Sequence, residues 1–395
     1  MDSINKSVRI FVMTAMTRRK FLGLSAAVTA LVVTGCGSSS DEETPPSTGG
    51  GNTGGNNTET TAIGKMPDEA EPHTRTWMAF GASDQIHEPQ NINGLRDDLA
   101  RIALSIAAYE PVSILVRANE LDIAKTKMNH PNISFVTGSM DDFWTRDTGA
   151  VFVKNAQNKL IGVDFNFNGW GKKQTHNNDK TVATQILNNI NIERKVSSLT
   201  LEGGGIEVDG LGTAIITESC VLNDNRNPGI SKAACEAELK RCLGISKVIW
   251  LPGIKGKDIT DGHTDFYARF VSEGVVVAAF DSDPNSYDHA VTKQHLEILK
   301  TATDAKGNKL KIIELQAPTT LRVKNPSEDF AAGYINYYVC NNAVIIPEFG
   351  DPSADAAAKQ KLQVAFPNRT IVQINIDYIA AAGGGIHCTT QQQPA

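Results

Sequence analysis

From residue 75 to residue 374 the chain alternates short apolar, largely β-branched runs with segments whose apolar residues recur at helical spacing. That alternation restricts the fold more than any other feature. Strands are expected at 75–80, 111–116, 133–136, 150–153, 160–165, 213–217, 247–251, 275–279, 311–315, 343–347 and 370–374, and helices at 93–109, 179–189, 287–301 and 354–366. The result is a mixed α/β domain. No Gly-x-Gly-x-x-Gly follows a strand and no Gly-Lys-Thr loop occurs, so neither a dinucleotide fingerprint nor a phosphate loop is present. Alternation alone does not separate a doubly wound sheet from a radial arrangement.

The N-terminal stretch has a different character. Thr17-Arg18-Arg19-Lys20-Phe21-Leu22-Gly23 is a twin-arginine pattern, followed by an apolar run at 24–33 that is too short to span a bilayer. It closes on Leu31-Val32-Val33-Thr34-Gly35-Cys36, a lipobox-like site. The expectation is an exported bacterial lipoprotein with signal peptide 1–35 and lipidation at Cys36. It would be periplasmic or tethered at a membrane surface, and would touch the membrane through the lipid alone. Met16, directly before the twin arginine, is an alternative start. Residues 36–62 comprise Cys36 and a Ser, Gly, Asn, Thr and Pro linker with too little apolar surface to order itself, leaving 63–395 as the catalytic domain.

Five cysteines remain besides Cys36, an odd number, so at least one thiol stays free. Cys235 and Cys242 share a helical pattern about two turns apart, roughly 10 Å and too far to bridge. Pairing of Cys220 with Cys340 is left open. Neither CxxC spacing nor a Cys/His cluster reads as zinc, and no metal or cofactor is expected.

With 41% hydrophobic residues over 395 positions the chain can bury a large core, and a formal charge of -6 without a basic stripe excludes a nucleic-acid binder. A small cation suits it better. Four polar clusters interrupt the pattern: 140–150 with Asp147, 201–210 with Glu202, 258–266 with His263 and Asp265, and the terminal Gly383-Gly384-Gly385-Ile386-His387-Cys388-Thr389-Thr390 stretch. Singly, each acid beside glycine reads equally as turn chemistry, and Cys388 as a thiol in a flexible tail. Together they read as a thiol nucleophile, a general acid/base at His263 and carboxylates for a planar guanidinium. His387 would point away from the site if its segment is extended.

At this point the sequence resembles a known family. Trp144-Thr145-Arg146-Asp147, Leu201-Glu202-Gly203-Gly204, Gly262-His263-Thr264-Asp265 and Gly384-Gly385-Ile386-His387-Cys388-Thr389-Thr390-Gln391-Gln392 are similar to the blocks of agmatine deiminases and Porphyromonas-type peptidylarginine deiminases. Asn223-Asp224-Asn225-Arg226-Asn227-Pro228 and Val248-Ile249-Trp250-Leu251 agree. The resemblance covers residues 66–394 and implies the pentein fold, a five-bladed α/β propeller, although no self-similar repeat is visible in the sequence. It implies that Cys388 attacks the guanidinium carbon, Asp147 and Asp265 hold its N–H groups, His263 protonates ammonia and activates water, and Glu202 orients His263. Trp144, Trp170 and Gly385 are implied to line the substrate.

Residues 163–171 resemble the agmatine version and lack the arginine pair with which peptidylarginine enzymes grip a carboxylate. The chain departs from the agmatine pattern at Ala150 and across 174–179. Agmatine is the expected substrate, giving N-carbamoylputrescine and ammonia. The alternatives are peptidylarginine or free arginine, with Lys172 and Lys173 as a substitute carboxylate clamp, a binding lipoprotein without turnover, and a metallohydrolase. Oligomeric state is unknown.

Overall fold

Five separate sheets make up the domain in the computed structural model, which describes residues 62–395. The expected signal peptide, Cys36 and nearly all of the linker lie outside the described residues. The first sheet holds three parallel strands, β1 (His73–Phe80), β2 (Val112–Val116) and β3 (Ile133–Thr137). The second contains β4 (Val151–Lys154), β5 (Leu160–Asp164) and β6 (Glu193–Val196). The third contains β7 (Glu207–Val208), β8 (Thr213–Thr217) and β9 (Lys247–Leu251), the fourth β10 (Ala268–Ser272), β11 (Val275–Phe280) and β12 (Lys311–Gln316), and the fifth β13 (Tyr338–Cys340), β14 (Ala343–Glu348) and β15 (Thr370–Asn375). Finally β16 (Gln391–Pro394) returns to pair antiparallel with β1.

One connectivity recurs five times. A short first strand runs antiparallel to a second, which pairs in parallel with a third after a helical crossover. The crossovers are Ile92–Ala107, Val182–Asn189, Lys232–Leu243, His289–Thr301 and Pro352–Ala365. Parallel pairing requires such a crossover, and the helix covers the sheet face it returns across. On Ile92–Ala107 the residues Leu95, Leu99, Ile102 and Ile106 recur at three- and four-residue spacing and are all buried. Each buried aliphatic side chain contributes about 1.5–3 kcal/mol.

The eleven expected strands are all present, and five more appear: β6, β7, β10, β13 and β16. β6 is an exposed edge strand, Glu193-Arg194-Lys195-Val196, without an apolar face. The other four are first strands of their sheets, and polar residues interrupt their apolar pattern: Glu207, Arg269 and Gln391 to Gln393 are buried on β7, β10 and β16, and β13 has only three residues.

These first strands meet at one buried ionic hub. Glu69, ahead of β1, accepts on Oε1 from Arg269 Nη2 of β10 (2.8 Å) and from the Val339 amide of β13 (2.9 Å). Its Oε2 accepts from Arg146 Nη2 ahead of β4 (3.0 Å) and from His387 Nε2 ahead of β16 (2.8 Å). Arg269 Nε donates to Glu207 Oε2 on β7 (2.9 Å), and Arg146 Nη1 to Gln392 Oε1 on β16 (2.7 Å). All five sheets are thereby joined through charged groups. Burial drives the Glu69 carboxyl up, but Arg269, His387 and Arg146 outweigh it and hold the group well below the usual carboxylate range. Burial lifts Glu207 to about 8 against the pull of Arg269, which leaves Glu69 as the principal anion of the hub.

Candidate active site

Each expected catalytic residue sits where the chain enters or leaves a short turn. Asp147 lies in the turn Thr145–Thr148 ahead of β4, and Glu202 precedes the 3-10 turn Gly203–Gly205 ahead of β7. His263 caps the 3-10 turn Thr264–Phe266, which carries Asp265 ahead of β10, and Cys388 lies in the 3-10 turn His387–Thr389 ahead of β16. The site is thus assembled at the mouths of the same first strands that meet at the hub.

Gly204 marks where the groups converge. A Cβ added there would fall 2.6 Å from His263 Nδ1, 3.0 Å from Asp147 Oδ1 and 3.1 Å from Asp265 Oδ2, so only glycine lets the three approach. The Gly204 amide donates to Asp147 Oδ1 (3.2 Å) and Trp170 Nε1 donates to Asp147 Oδ2 (2.9 Å). Trp170 reaches that oxygen from a left-handed turn, with φ 53° at Trp170 and 63° at Lys172, values that side chains other than glycine adopt only under local constraint.

His263 is fixed from behind. Its Nε2 donates to Glu202 Oε2 (3.1 Å), while Nδ1 faces Asp147 Oδ1 at 3.7 Å. Glu202 is fully buried and receives Arg226 Nε on both oxygens, each at 2.9 Å. Arg226 also donates to Asp261 Oδ2 (2.8 Å), so the Asn-Arg-Asn-Pro motif anchors both Glu202 and the loop that carries His263. Burial raises Glu202, yet Arg226 and His263 bring it down to about 2. Burial likewise disfavours charge on His263, but Asp147 first, then Cys220 and Glu202, hold the imidazolium well above its ordinary range. His263 is therefore positioned as an acid.

Cys388 is 6% exposed, packed between an asparagine and an aspartate rather than lying in a loose tail. Its thiol stands 3.5 Å from Asn336 Oδ1 and 3.7 Å from Asp265 Oδ2, and its amide donates to Asn336 Oδ1 (3.3 Å). Burial, then the charges of Asp265 and Asp147, push the thiol well above its ordinary value. Burial also lifts Asp147, to about 6, with the charges of Glu202 and Asp265 adding to it and His263 opposing. Burial pushes Asp265 up, but hydrogen bonding and charge from His387, together with the charges of His263 and Arg269, hold it below its usual range. Its Oδ2 faces His387 Nδ1 at 2.7 Å, while Oδ1 is buried and has no hydrogen-bond partner among the described residues.

Two expectations are corrected here. His387 does not point away from Cys388: the hydroxyls of Thr389 and Thr390 bond back to the Ile386 carbonyl (2.8 and 3.2 Å), and the resulting 3-10 turn brings both side chains to Asp265. A Cys/His cluster also exists, since Glu202, Cys220 and His263 bring donor atoms within 4.8 Å of one another, a grouping hidden by their sequence separation. Arg226 already neutralises its carboxylate. All five cysteines among the described residues, Cys220 and Cys340 included, are free thiols.

Of the expected substrate contacts, Trp170 supports Asp147, and Trp144 donates to Asp142 Oδ2 (3.0 Å) while its ring stands against Gly384, where a Cβ would come within 2.3 Å. Gly385 approaches Asn336 Oδ1 as closely, and its amide opposes the rise of the Cys388 thiol. Lys173 Nζ bonds Asp261 Oδ1 (2.8 Å) and two carbonyls, so it is committed within the protein, and Lys172 is exposed. Sequence reasoning missed Asn336, Glu69 and Arg226 as parts of the site. The Asn-Arg-Asn-Pro motif held a signal for Arg226, whereas Asn336 and Glu69 lie in loops without one.

Comparison with known proteins agrees with this geometry. The sequence profile of the family described as Porphyromonas-type peptidyl-arginine deiminase matches residues 65–394. The agmatine deiminase of Stutzerimonas stutzeri is 36% identical over 359 residues, covering 84% of this chain and 95% of that protein. That of Pseudomonas aeruginosa is 37% identical over 360 residues with the same coverage. Among solved structures, the agmatine deiminase of Enterococcus faecalis superimposes with a TM-score of 0.78 at 30% identity, over 84% of this chain and 96% of the other.

Proposed function

Because the chain belongs to the Porphyromonas-type peptidyl-arginine deiminase family, with agmatine deiminases among its near full-length relatives, we propose that it hydrolyses agmatine to N-carbamoylputrescine and ammonia. The observation that carries this reading is the pair Asp147 and Asp265, two buried carboxylates converging beside a thiol, with Asp265 Oδ1 left unpartnered. Buried carboxylates normally have cationic partners, and a planar guanidinium supplies N–H groups for both. The commitment of Lys173 to Asp261 favours a substrate without a carboxylate to clamp.

In the free enzyme the thiol is held neutral and His263 charged. A guanidinium between Asp147 and Asp265 cancels the repulsion that disfavours the thiolate, so entry of the substrate releases the thiol proton and arms the nucleophile. The thiolate then bonds to the guanidinium carbon. His263 gives its proton to the departing nitrogen, the C–N bond breaks, and ammonia leaves an S-alkylthiouronium. Neutral His263 next takes a proton from water as the oxygen attacks the same carbon. The C–S bond breaks, the hydroxyl proton of the adduct passes to the departing sulfur, and the neutral thiol and the ureido product are set free. Glu202 keeps His263 oriented through both steps.

The five sheets of common connectivity support reading the domain as a five-bladed propeller of the pentein type. The twin-arginine pattern and lipobox support an exported lipoprotein anchored at Cys36; incorporation of labelled palmitate should disappear in Cys36→Ala. For the activity, purified protein is incubated with agmatine, arginine and a peptide ending in arginine, and ammonia and ureido product are measured for each. Agmatine should show the highest kcat/KM. Turnover of arginine or peptide alone overturns the substrate assignment, and turnover of none favours a binding protein.

A further inference from the structure

His387 lies beside the nucleophile, yet no step above uses it. Its imidazole is 1% exposed and spans two carboxylates, with Nε2 2.8 Å from Glu69 Oε2 and Nδ1 2.7 Å from Asp265 Oδ2. Contacts this short require a hydrogen in each. Glu69 is saturated by Arg146, Arg269 and the Val339 amide, so it accepts from Nε2, and the second hydrogen lies between Nδ1 and Asp265. A carboxylate gripped through one oxygen has a single remaining direction for the other, and here that is the unpartnered Oδ1.

We infer that His387, braced by Glu69, is a positioning residue: it occupies Asp265 Oδ2 and thereby turns Oδ1 toward the guanidinium, which makes substrate binding depend on the ionic hub. This rests on the reading of Asp265 as a guanidinium ligand. Burial and the charges of Arg146 and Arg269 hold the imidazole below its ordinary range, with Glu69 and Asp265 opposing them, so the positioning role rests on the two short contacts and not on a charge at His387.

The test measures agmatine binding by calorimetry in the full chain carrying Cys388→Ala, which binds without turnover. His387→Leu removes the Asp265 contact, whereas His387→Asn puts an amide N–H where Nδ1 stood but cannot reach Glu69. His387→Leu should weaken agmatine about 10- to 100-fold, and His387→Asn should recover most of that loss although both lose the Glu69 bond. Binding by His387→Leu within twofold of its parent overturns the proposal, as does equal loss in both variants. Asp265→Asn in the same background separates the two readings. If it leaves agmatine binding intact, the substrate assignment fails; if it abolishes binding while His387→Leu does not weaken it, only the positioning role fails. Should His387→Leu not fold, the Nδ1 proton resonance of His387 in nitrogen-15-labelled protein serves instead. It should be protected from exchange and shift when agmatine saturates the site, and a resonance unmoved by agmatine overturns the inference.

Discussion

The molecule contains two buried clusters of charge that touch through His387 and differ in how their charges are met. At the hub, the carboxylate of Glu69 faces two guanidinium groups, an imidazole and an amide. A few ångströms away, among the described residues, Asp147 meets the His263 imidazole, a tryptophan and an amide but no guanidinium, and Asp265 meets only His387 and the Cys388 thiol and leaves an oxygen unpartnered. Both clusters face the same low-dielectric surroundings, so the difference lies in pairing. The paired cluster holds the sheets together, while the other stores an electrostatic imbalance that a cationic substrate relieves.

The sharpest way to break this contrast is to remove the group that exploits the imbalance. Cys388→Ala should lower ammonia release by at least about 10^4-fold, as removal of a covalent nucleophile does, while thermal unfolding moves by no more than a few degrees. Next in size, Arg269→Met takes from Glu69 one of its two guanidinium partners and from Glu207 its only one among the described residues, and should destabilise the domain by about 3–5 kcal/mol in chemical denaturation. A loss below about 1 kcal/mol would mean that the hub is not what ties the sheets.

The same kind of substitution in the other cluster should act with the opposite sign. Asp147→Asn removes a charge whose pKa burial has raised to about 6, and should stabilise the protein by about 1–2 kcal/mol at neutral pH while eliminating turnover. A variant less stable than the parent would show that Asp147 is paired in the resting state.

Smallest is the effect of pH on binding. Asp147, with its raised pKa, is protonated below about 6, and the cation needs it ionised. Agmatine affinity in Cys388→Ala should therefore be flat above that value and decline by up to about tenfold per unit as pH falls through it, with proton release on binding. Asp265, held low, adds no such limb in that window. An affinity independent of pH between 5 and 8 would contradict the assignment.

The same contrast explains what could be read in advance. Strands β2, β5, β8, β11 and β14 carry apolar runs and were legible as such, as were the glycine-flanked Asp147, Glu202, His263, Asp265 and Cys388. The strands β7, β10, β13 and β16 were not, because buried Glu207, Arg269 and the glutamines of β16 interrupt the apolar pattern, and β13 is only three residues long. Their polarity is satisfied only by partners far away in the chain, such as Glu69 for Arg269 across 200 residues. The fivefold repetition likewise lives in strand order and not in residue identity. A cut before Gly383 would also reach into the core. Ile386 is fully buried, Gln392 receives Arg146, and β16 completes the first sheet.

The pairing of β16 with β1 makes the end of the described domain the clasp of its beginning. Cys388 leaves the ribosome long after Asp147, Glu202, His263 and Asp265, and reaches them only when β16 closes on His73 to Trp77. The thiol therefore stands beside its carboxylates only in a chain whose β16 is paired with β1. Activity in this protein doubles as a report that β16 has been fastened to β1.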